Sequence, residues 1–304
     1  MVYLFKPTPH LQWSLVSLEG PDVLDFLQRL STVNVKALKS NQEAPGCFLS
    51  ATGKIQAFFW LWPVLEGSGS QYIIFEFDAG PDGIWKEKLL GFIEQYTFAE
   101  KMKLKIPEKG SLECCWIFVE KEEFQWASLP DVHIFSHGDR DYGISWFSVW
   151  GEPQALALWK EKNFMTAQKQ AQAQEISFEK IEEWRITHLT PRVGYEITES
   201  TNPLEIGLKR AVSENKGCYP GQEVIEKIVA LGSPSRRLVL IQGVGDAPVR
   251  GQKIDVGEVT SSLSQDGKFS VLAFVGKISA KEGSQVKLSS GKEAMIVRVA
   301  SYEI

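Results

Sequence analysis

The tryptophans are confined to one part of the chain. All ten lie at or before Trp184, the last His is His188 and the last Cys is Cys218. Beyond about Ser235 none of the three occurs. The sequence there becomes short Val/Ile/Leu runs broken by Gly, Ser and Asp: RRLVLIQGVG, GEVTSS, FSVLAFVGKI, SQVKLSSGKE and AMIVRVASY. Such runs read as antiparallel strands. Five or six of them in about 70 residues suggest a small β-barrel. A boundary falls near Ser233-Pro234-Ser235 and divides 1–232 from 235–304. That agrees with the roughly two domains expected of 304 residues.

Upstream, strands and helices mix. Gly20-Pro21 suits a helix start, and Val23, Leu24, Phe26, Leu27 and Leu30 then share one helical face. KIQAFFWLWPV and QYIIFEFD flank Gly67-Ser68-Gly69 as a predicted hairpin. PDGIWKEKLLGFIEQY is a helix with Trp85, Leu89, Phe92, Ile93 and Tyr96 on one side. CCWIFVE, HIFSH and YGISWFSVW are predicted strands; EPQALALWKEKN and SFEKIEEWRITHL are predicted helices, the second ended by Pro191. QKQAQAQE is a polar connection. The strands come in hairpins, so the fold class is α+β.

Several function classes lose support. Lys+Arg 33 against Asp+Glu 38 gives a net charge of −5, without the basic footprint of a nucleic-acid binder. The longest apolar run, Ala57 to Leu65, holds Pro63 and is far short of the about 20 residues that span a bilayer. Four scattered Cys make no secreted disulfide framework, so a reducing compartment is expected. Cys47 and the neighbours Cys114 and Cys115 read as structural. His133 and His137 share a strand face without a third ligand, and no metal site is expected. Trp60/Trp62 and Trp146/Trp150 alternate as core strand residues do. No G-x-S-x-G, P-loop, H-E-x-x-H or C-x-x-C motif occurs.

The densest chemical signal is KGCYPGQE, Lys216 to Glu223. Tyr219-Pro220-Gly221-Gln222 has the Pro and Gly of a type II turn. Lys216 and Cys218 are two apart and face the same way if extended; a cation beside a thiol favours the thiolate. From spacing alone, a hairpin turn with a small buried Cys fits at least as well.

Lys216, Gly217, Cys218, Tyr219, Gly221, Gln222 and Glu223 resemble the K-G-C-Y-x-G-Q-E signature of the YgfZ family. These are folate-binding proteins linked to iron–sulfur cluster maintenance and tRNA modification, related to the T-protein (aminomethyltransferase) of glycine cleavage. WRITHLTPRVGYEITESTNPLEIGL resembles the family's segment through Arg185, Pro191, Arg192, Gly194, Pro203 and Glu205. LGSPSRRLVLIQ and LEGPDVLDFLQRLSTVNV match its lead-out and opening, with Val35 where Asp is usual after Asn34. The likeness covers most of the chain and is weakest over about 100–170.

The resemblance implies three subdomains in a ring, the middle one at roughly 100–170 and the last a β-barrel. Tetrahydrofolate or a derivative would sit in the central hole. Glu205 would hold the pterin, since a carboxylate can accept from a paired N–H and NH2. Arg192, Tyr195, Asn34 and Gln222 are further candidate folate-binding residues. The T-protein's catalytic Asp has no counterpart in Gly53-Lys54-Ile55-Gln56-Ala57-Phe58, so aminomethyl transfer is not expected. Cys218, with Lys216, is then the candidate functional thiol: a nucleophile, a redox group or a transient metal or sulfur ligand. The expected function is support of iron–sulfur assembly or repair in client enzymes, including tRNA-modifying ones. The alternative is a folate-dependent one-carbon transferase. Expected partners are folate and iron–sulfur client or assembly proteins, without direct nucleic acid or membrane. A bacterial cytoplasm is the expected location, the mitochondrial matrix the second choice.

Overall fold

The computed structural model describes residues 1–8, 10–65, 71–120, 126–139, 141–164 and 173–301. The 67–69 turn and residues 168–172 of the polar connection lie outside these.

The first layer is a five-stranded sheet. It contains β2 (Trp13–Glu19), β3 (Ala44–Leu49), β4 (Ile55–Leu65), β5 (Gln71–Asp78) and β6 (Lys103–Lys105), in the order β3-β4-β5-β2-β6. Two helices cover one face, α1 (Val23–Leu30) and α2 (Ile84–Tyr96). From α1, Val23, Phe26, Leu27 and Leu30 enter the core, following the helical repeat. They meet Phe48, Phe59 and Phe75 of the sheet, and Phe48 stacks on Phe92 of α2 with centroids 4.4 Å apart. The sheet's other face is covered too. That is why β4 reads as an unbroken apolar run: both of its sides are buried.

The second sheet runs β10-β1-β7-β9-β8. It contains β7 (Glu113–Val119), β8 (Val132–Gly138), β9 (Ser145–Gly151) and β10 (Ala173–Glu175), and also β1 (Val2–Phe5) from the chain's start. β1 pairs antiparallel with β7 and parallel with β10. On the outside, α3 (Pro153–Phe164) packs Leu156, Trp159 and Phe164 against Cys115, Ile117 and Val149. On the inside, Trp116, Phe118 and Trp146 meet Ile181 of α4 (Phe178–Thr187). Cys115 thus lies in the outer core, whereas Cys114 packs at the edge of the inner clusters. Burial pushes both thiols up, and Cys47 as well.

The third unit is a nearly closed six-stranded barrel of β11 (Arg236–Val244), β12 (Lys253–Ile254), β13 (Gly257–Gln265), β14 (Lys268–Gly276), β15 (Gln285–Lys287) and β16 (Glu293–Val299). An Ile254–Leu288 bridge and the Asp255 N–H to Lys287 carbonyl bond, 3.1 Å, bring its two edges together. Register shifts at Leu240/Ile241 and Val259/Ser261 supply the bulges that let a small sheet curl. Val239, Ile241, Val271, Ala273 and Ile296 fill it. Before it comes α5 (Gln222–Ala230). KGCYPGQE is therefore not a hairpin: its turn leads into a helix, whose Ile225 and Ile228, three apart, pack against the core on one face.

The first two sheets are joined by a polar contact in an apolar interface. Glu76 of β5 is fully buried and faces the second sheet. It accepts from Trp13 Nε1 at 3.0 Å, from Ser148 Oγ and from Trp150 Nε1, and His137 Nε2 lies 3.4 Å away. Burial disfavours its charge, but His137, Ser148 and Trp150 outweigh that and keep its pKa below the usual carboxylate range. Glu76→Ala strands these donors in the interior. It is expected to lower unfolding free energy by about 3–5 kcal/mol in urea titrations; a loss under about 1 kcal/mol would mean water replaces the carboxylate.

Candidate functional site: a tryptophan-lined central cavity and an exposed cysteine loop

The first two sheets, α4 and the 190–208 segment surround a cavity of about 50 Å³, and none of its described lining residues belongs to the barrel. Trp13, Trp60, Trp116 and Trp146 come to it from β2, β4, β7 and β9. Their rings meet edge-on or tilted: Trp13 to Trp116 at 4.9 Å, Trp13 to Trp60 at 5.2 Å, Trp116 to Trp146 at 4.7 Å. Arg185 and Glu182 of α4, Arg192, Asp78 at the end of β5 and Asp141 complete the polar part of the wall. The alternating tryptophans are buried, as a core reading expects, but their polar atoms are not all used. The indole N–H groups of Trp60, Trp116 and Trp146, Arg192 Nε and Asp141 Oδ2 are buried without a hydrogen-bond partner among the described residues. Each such group costs about 1–3 kcal/mol if left unpaired. Together they give one cavity wall a set of donors and an acceptor that no described residue satisfies.

Arg192 is held on several sides. Its Nη1 donates to Glu182 at 3.3 Å and its Nη2 to the His10 carbonyl, and Asp78 lies 3.9 Å from its Nε. Tyr195 packs against its guanidinium at 4.8 Å and against Arg250 at 4.0 Å. Burial pushes the Asp78 carboxyl up to about 6, although the Gly80 N–H and Arg192 pull the other way. Burial also opposes the Glu182 charge, but Arg185 and Arg192 more than offset it, and its pKa is lowered.

The KGCYPGQE loop is a second locus, on the surface. Cys218 is exposed, as are Gly217 and Glu223, while Tyr219 and Gly221 are buried. Gly221 has φ +80°, the left-handed value a type II turn needs at that position, and the Gln222 N–H donates to the Tyr219 carbonyl at 3.2 Å. A Cβ at Gly221 would come 2.5 Å from the Ser50 carbonyl oxygen, so this turn is pressed against the Ser50–Gly53 turn. The Lys216 ammonium is directed inward, to the carbonyls of Ser31 and Val33, and lies 5.0 Å from the Tyr219 ring. Burial pushes its pKa down to about 8. Asn34 lies beside this anchor: its backbone N–H donates to Ser213 Oγ, and its side chain accepts from Gln28. Gln222 donates to Glu226 within α5.

Glu205 lies apart from the cavity wall. It sits on a short 3-10 turn, Pro203–Ile206, where it accepts from the Asn202 N–H at 3.1 Å in a capping box. Arg236 also donates to it at 3.1 Å, and Lys54 is 3.6 Å away. Asn202 in turn donates to the Gly53 carbonyl at 2.8 Å. Of the residues singled out in the sequence, Arg192 lines the cavity with Tyr195 packed on its guanidinium, and Lys216 reaches from the loop to the Ser31 and Val33 carbonyls next to Asn34, while Cys218 faces solvent. Sequence reasoning missed Asp78, Asp141, Glu182 and Glu196. Glu196 ends the PRVGYE stretch and is fully buried, which a charged residue amid that motif could have signalled. His133 is exposed while His137 is buried beside Glu76.

Two outcomes are expected. Asp78 has a folded pKa near 6, above the usual value of about 3.9. Its contribution to stability is full below about pH 4 and is lost as pH rises through about 6. Asp78→Asn should therefore gain stability relative to wild type as pH rises from about 4 to about 6, by about 1.4 kcal/mol for each tenfold fall in proton concentration. A constant difference across that range in denaturant titrations refutes the assignment. Gly221→Ala should destabilise by about 2 kcal/mol, from the left-handed backbone and the Ser50 contact; urea unfolding decides it.

No protein-family model matches the chain. It is 25% identical over 252 residues to a tRNA-modifying protein YgfZ of Hamiltonella defensa, covering 76% of this chain and 68% of that one. It is 23% identical over 255 residues to a tRNA-modifying protein YgfZ of Aliivibrio fischeri, covering 81% and 74%. An iron–sulfur cluster assembly factor IBA57 homolog, mitochondrial, of Phaeosphaeria nodorum is 24% identical over 252 residues, 78% of this chain and 54% of that one. In structure, the chain superposes on the glycine cleavage system aminomethyltransferase T of Bartonella henselae with TM-score 0.77 at 18% identity, covering 98% of this chain and 85% of that one. Together with the KGCYPGQE loop, these likenesses show that the chain is similar to YgfZ proteins and has the aminomethyltransferase fold.

Proposed function

We propose that this protein binds a folate in its central cavity and supports iron–sulfur cluster assembly or repair in client enzymes, tRNA-modifying ones among them, within a bacterial cytoplasm. The observation that carries the folate reading is the set of unpartnered polar atoms in the cavity wall. Their chemistry suits a pterin, whose ring is larger than the space of about 50 Å³, so the tryptophan wall has to part on binding. The indole N–H groups and Arg192 Nε suit its ring nitrogens and carbonyl oxygen. Asp141 or Asp78 suits its adjacent N–H and NH2 edge. The tryptophan faces suit its plane. Tyr195 would keep the Arg192 guanidinium in place. Glu205 and Asn202 would act from further out, by fixing the Gly53 turn against which the cysteine loop rests. When bound, a tetrahydrofolate supplies a reduced ring able to carry a one-carbon unit. The exposed Cys218 is the group that meets the client, and Lys216, Asn34 and Gln222 hold its loop. The names of the relatives, tRNA-modifying protein and iron–sulfur cluster assembly factor, support the client class.

A one-carbon transferase is the second reading. No carboxylate stands in Gly53–Phe58, but Asp78 puts one in the cavity wall with a pKa near 6, suited to acid–base work. Turnover of an aminomethyl or N-methyl donor with tetrahydrofolate would select it.

Calorimetric titration with tetrahydrofolate and 5-formyltetrahydrofolate tests the folate site. Saturable binding is expected, weakened about fivefold in Trp146→Phe, which keeps an aromatic ring but loses the N–H. No saturable heat with wild type overturns the reading. Cys218→Ala should bind folate as wild type does, yet fail to restore iron–sulfur enzyme activity in cells lacking the protein; full restoration refutes the thiol role.

A further inference from the structure

His137, near the end of β8, is buried, and neither the folate reading nor the thiol loop uses it. Four indoles box its ring. Trp146 stacks on one face, with centroids 3.8 Å apart and planes 10° from parallel. Trp62, Trp60 and Trp13 stand nearly perpendicular to it at 5.4, 5.6 and 6.2 Å. Trp13, Trp60 and Trp146 are also tryptophans of the cavity wall, so His137 sits directly behind that wall. Two carboxylates flank the same ring. Glu76 of β5 lies 3.4 Å from Nε2, which also bonds Ser148 Oγ of β9 at 3.0 Å. Glu43, just before β3, lies 3.8 Å from Nδ1. Behind these two, Arg210 acts on Glu43, and the Cys114 thiol of β7, pushed up by burial, lies near Glu76.

An imidazolium in this place meets two carboxylates and an indole face, and a cation over an indole face is attracted to it. A neutral imidazole loses both attractions. Burial works against the charge, but Glu43 and Glu76 more than offset it and hold the pKa above its usual 6.5. The charge is therefore present below 6.5 and is lost as pH rises through the raised value. The space of about 50 Å³ is smaller than a pterin ring, and the wall that has to part includes the indole stacked on His137. Resting on the folate reading, we propose that His137 is a positioning residue for the cavity: as an imidazolium it clasps Trp146 and keeps the wall closed, and on losing its proton it releases the wall, so that one buried proton controls ligand entry. The ligand binds the parted wall, so its apparent affinity follows the parted fraction.

The test is stopped-flow tryptophan fluorescence with tetrahydrofolate from about pH 6 to about pH 9, beside an NMR titration of the His137 imidazole. In wild type the association rate should rise about tenfold in a one-proton step, with the dissociation rate unchanged. The midpoint of that step should lie above 6.5 and coincide with the imidazole midpoint. His137→Gln keeps a group able to bond Ser148 but carries no charge; it should associate fast across the range, without the step. Asp78 is unaltered in this variant, so any step of its own near 6 stays in place. Glu43→Gln removes one of the two flanking charges at the partly exposed side. It should move the imidazole midpoint and the association step to lower pH together, a joint shift that a purely structural role does not produce. This variant carries the test if His137→Gln fails to fold. Association that stays flat through the imidazole titration, a step that survives in His137→Gln, or a step that does not follow the imidazole in Glu43→Gln overturns the role of His137. Saturable binding in any of these cases leaves the folate cavity standing. Failure of tetrahydrofolate to bind at every pH overturns the folate reading and the control by His137 together.

Discussion

The centre of the molecule depends on one buried cation. Arg185 projects from α4 and is almost wholly enclosed. Its Nε and Nη2 donate to Glu182 at 2.6 and 2.7 Å, and its Nη1 lies 3.4 Å from Glu196. Nη2 also reaches Ser261 of the barrel at 2.7 Å, and Ser261 donates to Glu196 at 2.6 Å. Burial works against the Arg185 charge, but Glu196 and Glu182 more than offset it and raise its pKa. A buried cation with fewer partners would be a severe cost. Here a helix, the 190–197 segment and a barrel strand are tied by one guanidinium. Glu196 also accepts the Arg192 N–H at 3.0 Å, so the same network sets the backbone from which Arg192 enters the cavity wall.

The division of labour in the fold follows from this frame. The cavity lies where three hydrophobic clusters meet and is enclosed by tryptophans. Their size fills most of the space, and their N–H groups keep what remains polar. The cysteine loop lies outside, held by Lys216 inward and Gly221 against Ser50, with Cys218 left in solvent. On the proposed function, the ligand cavity and the client-facing thiol are separated in space: one needs exclusion of water, the other needs exposure. The Glu205–Asn202–Gly53 chain of contacts runs beside the turn on which that loop rests.

Much of the architecture was legible in the sequence. The helical repeat of Val23 to Leu30, the apolar β4 and β5 runs and the Gly-broken tail each rest on local patterning, which burial imposes on any chain. The six-stranded barrel follows from that tail. β1 was not legible, because four residues at the chain's start pair with β7 and β10, more than a hundred residues away. The helix after KGCYPGQE was obscured by a turn signal that serves a helix start as well as a hairpin.

The sequence by itself determined the turn at Gly221, the family likeness and the separate barrel, since each is written in residues close together along the chain. Only the tertiary structure decided which side chains share a cavity. Trp13, Trp60, Trp116, Trp146, Asp78 and Asp141 come from separate strands and loops, and no spacing along the chain links them. It also decided that Glu205 serves a capping box and Arg236, that the Lys216 ammonium turns inward, and that Cys218 faces water. Those outcomes depend on which distant backbone carbonyls and carboxylates the fold brings within about 3 Å, the reach of a hydrogen bond.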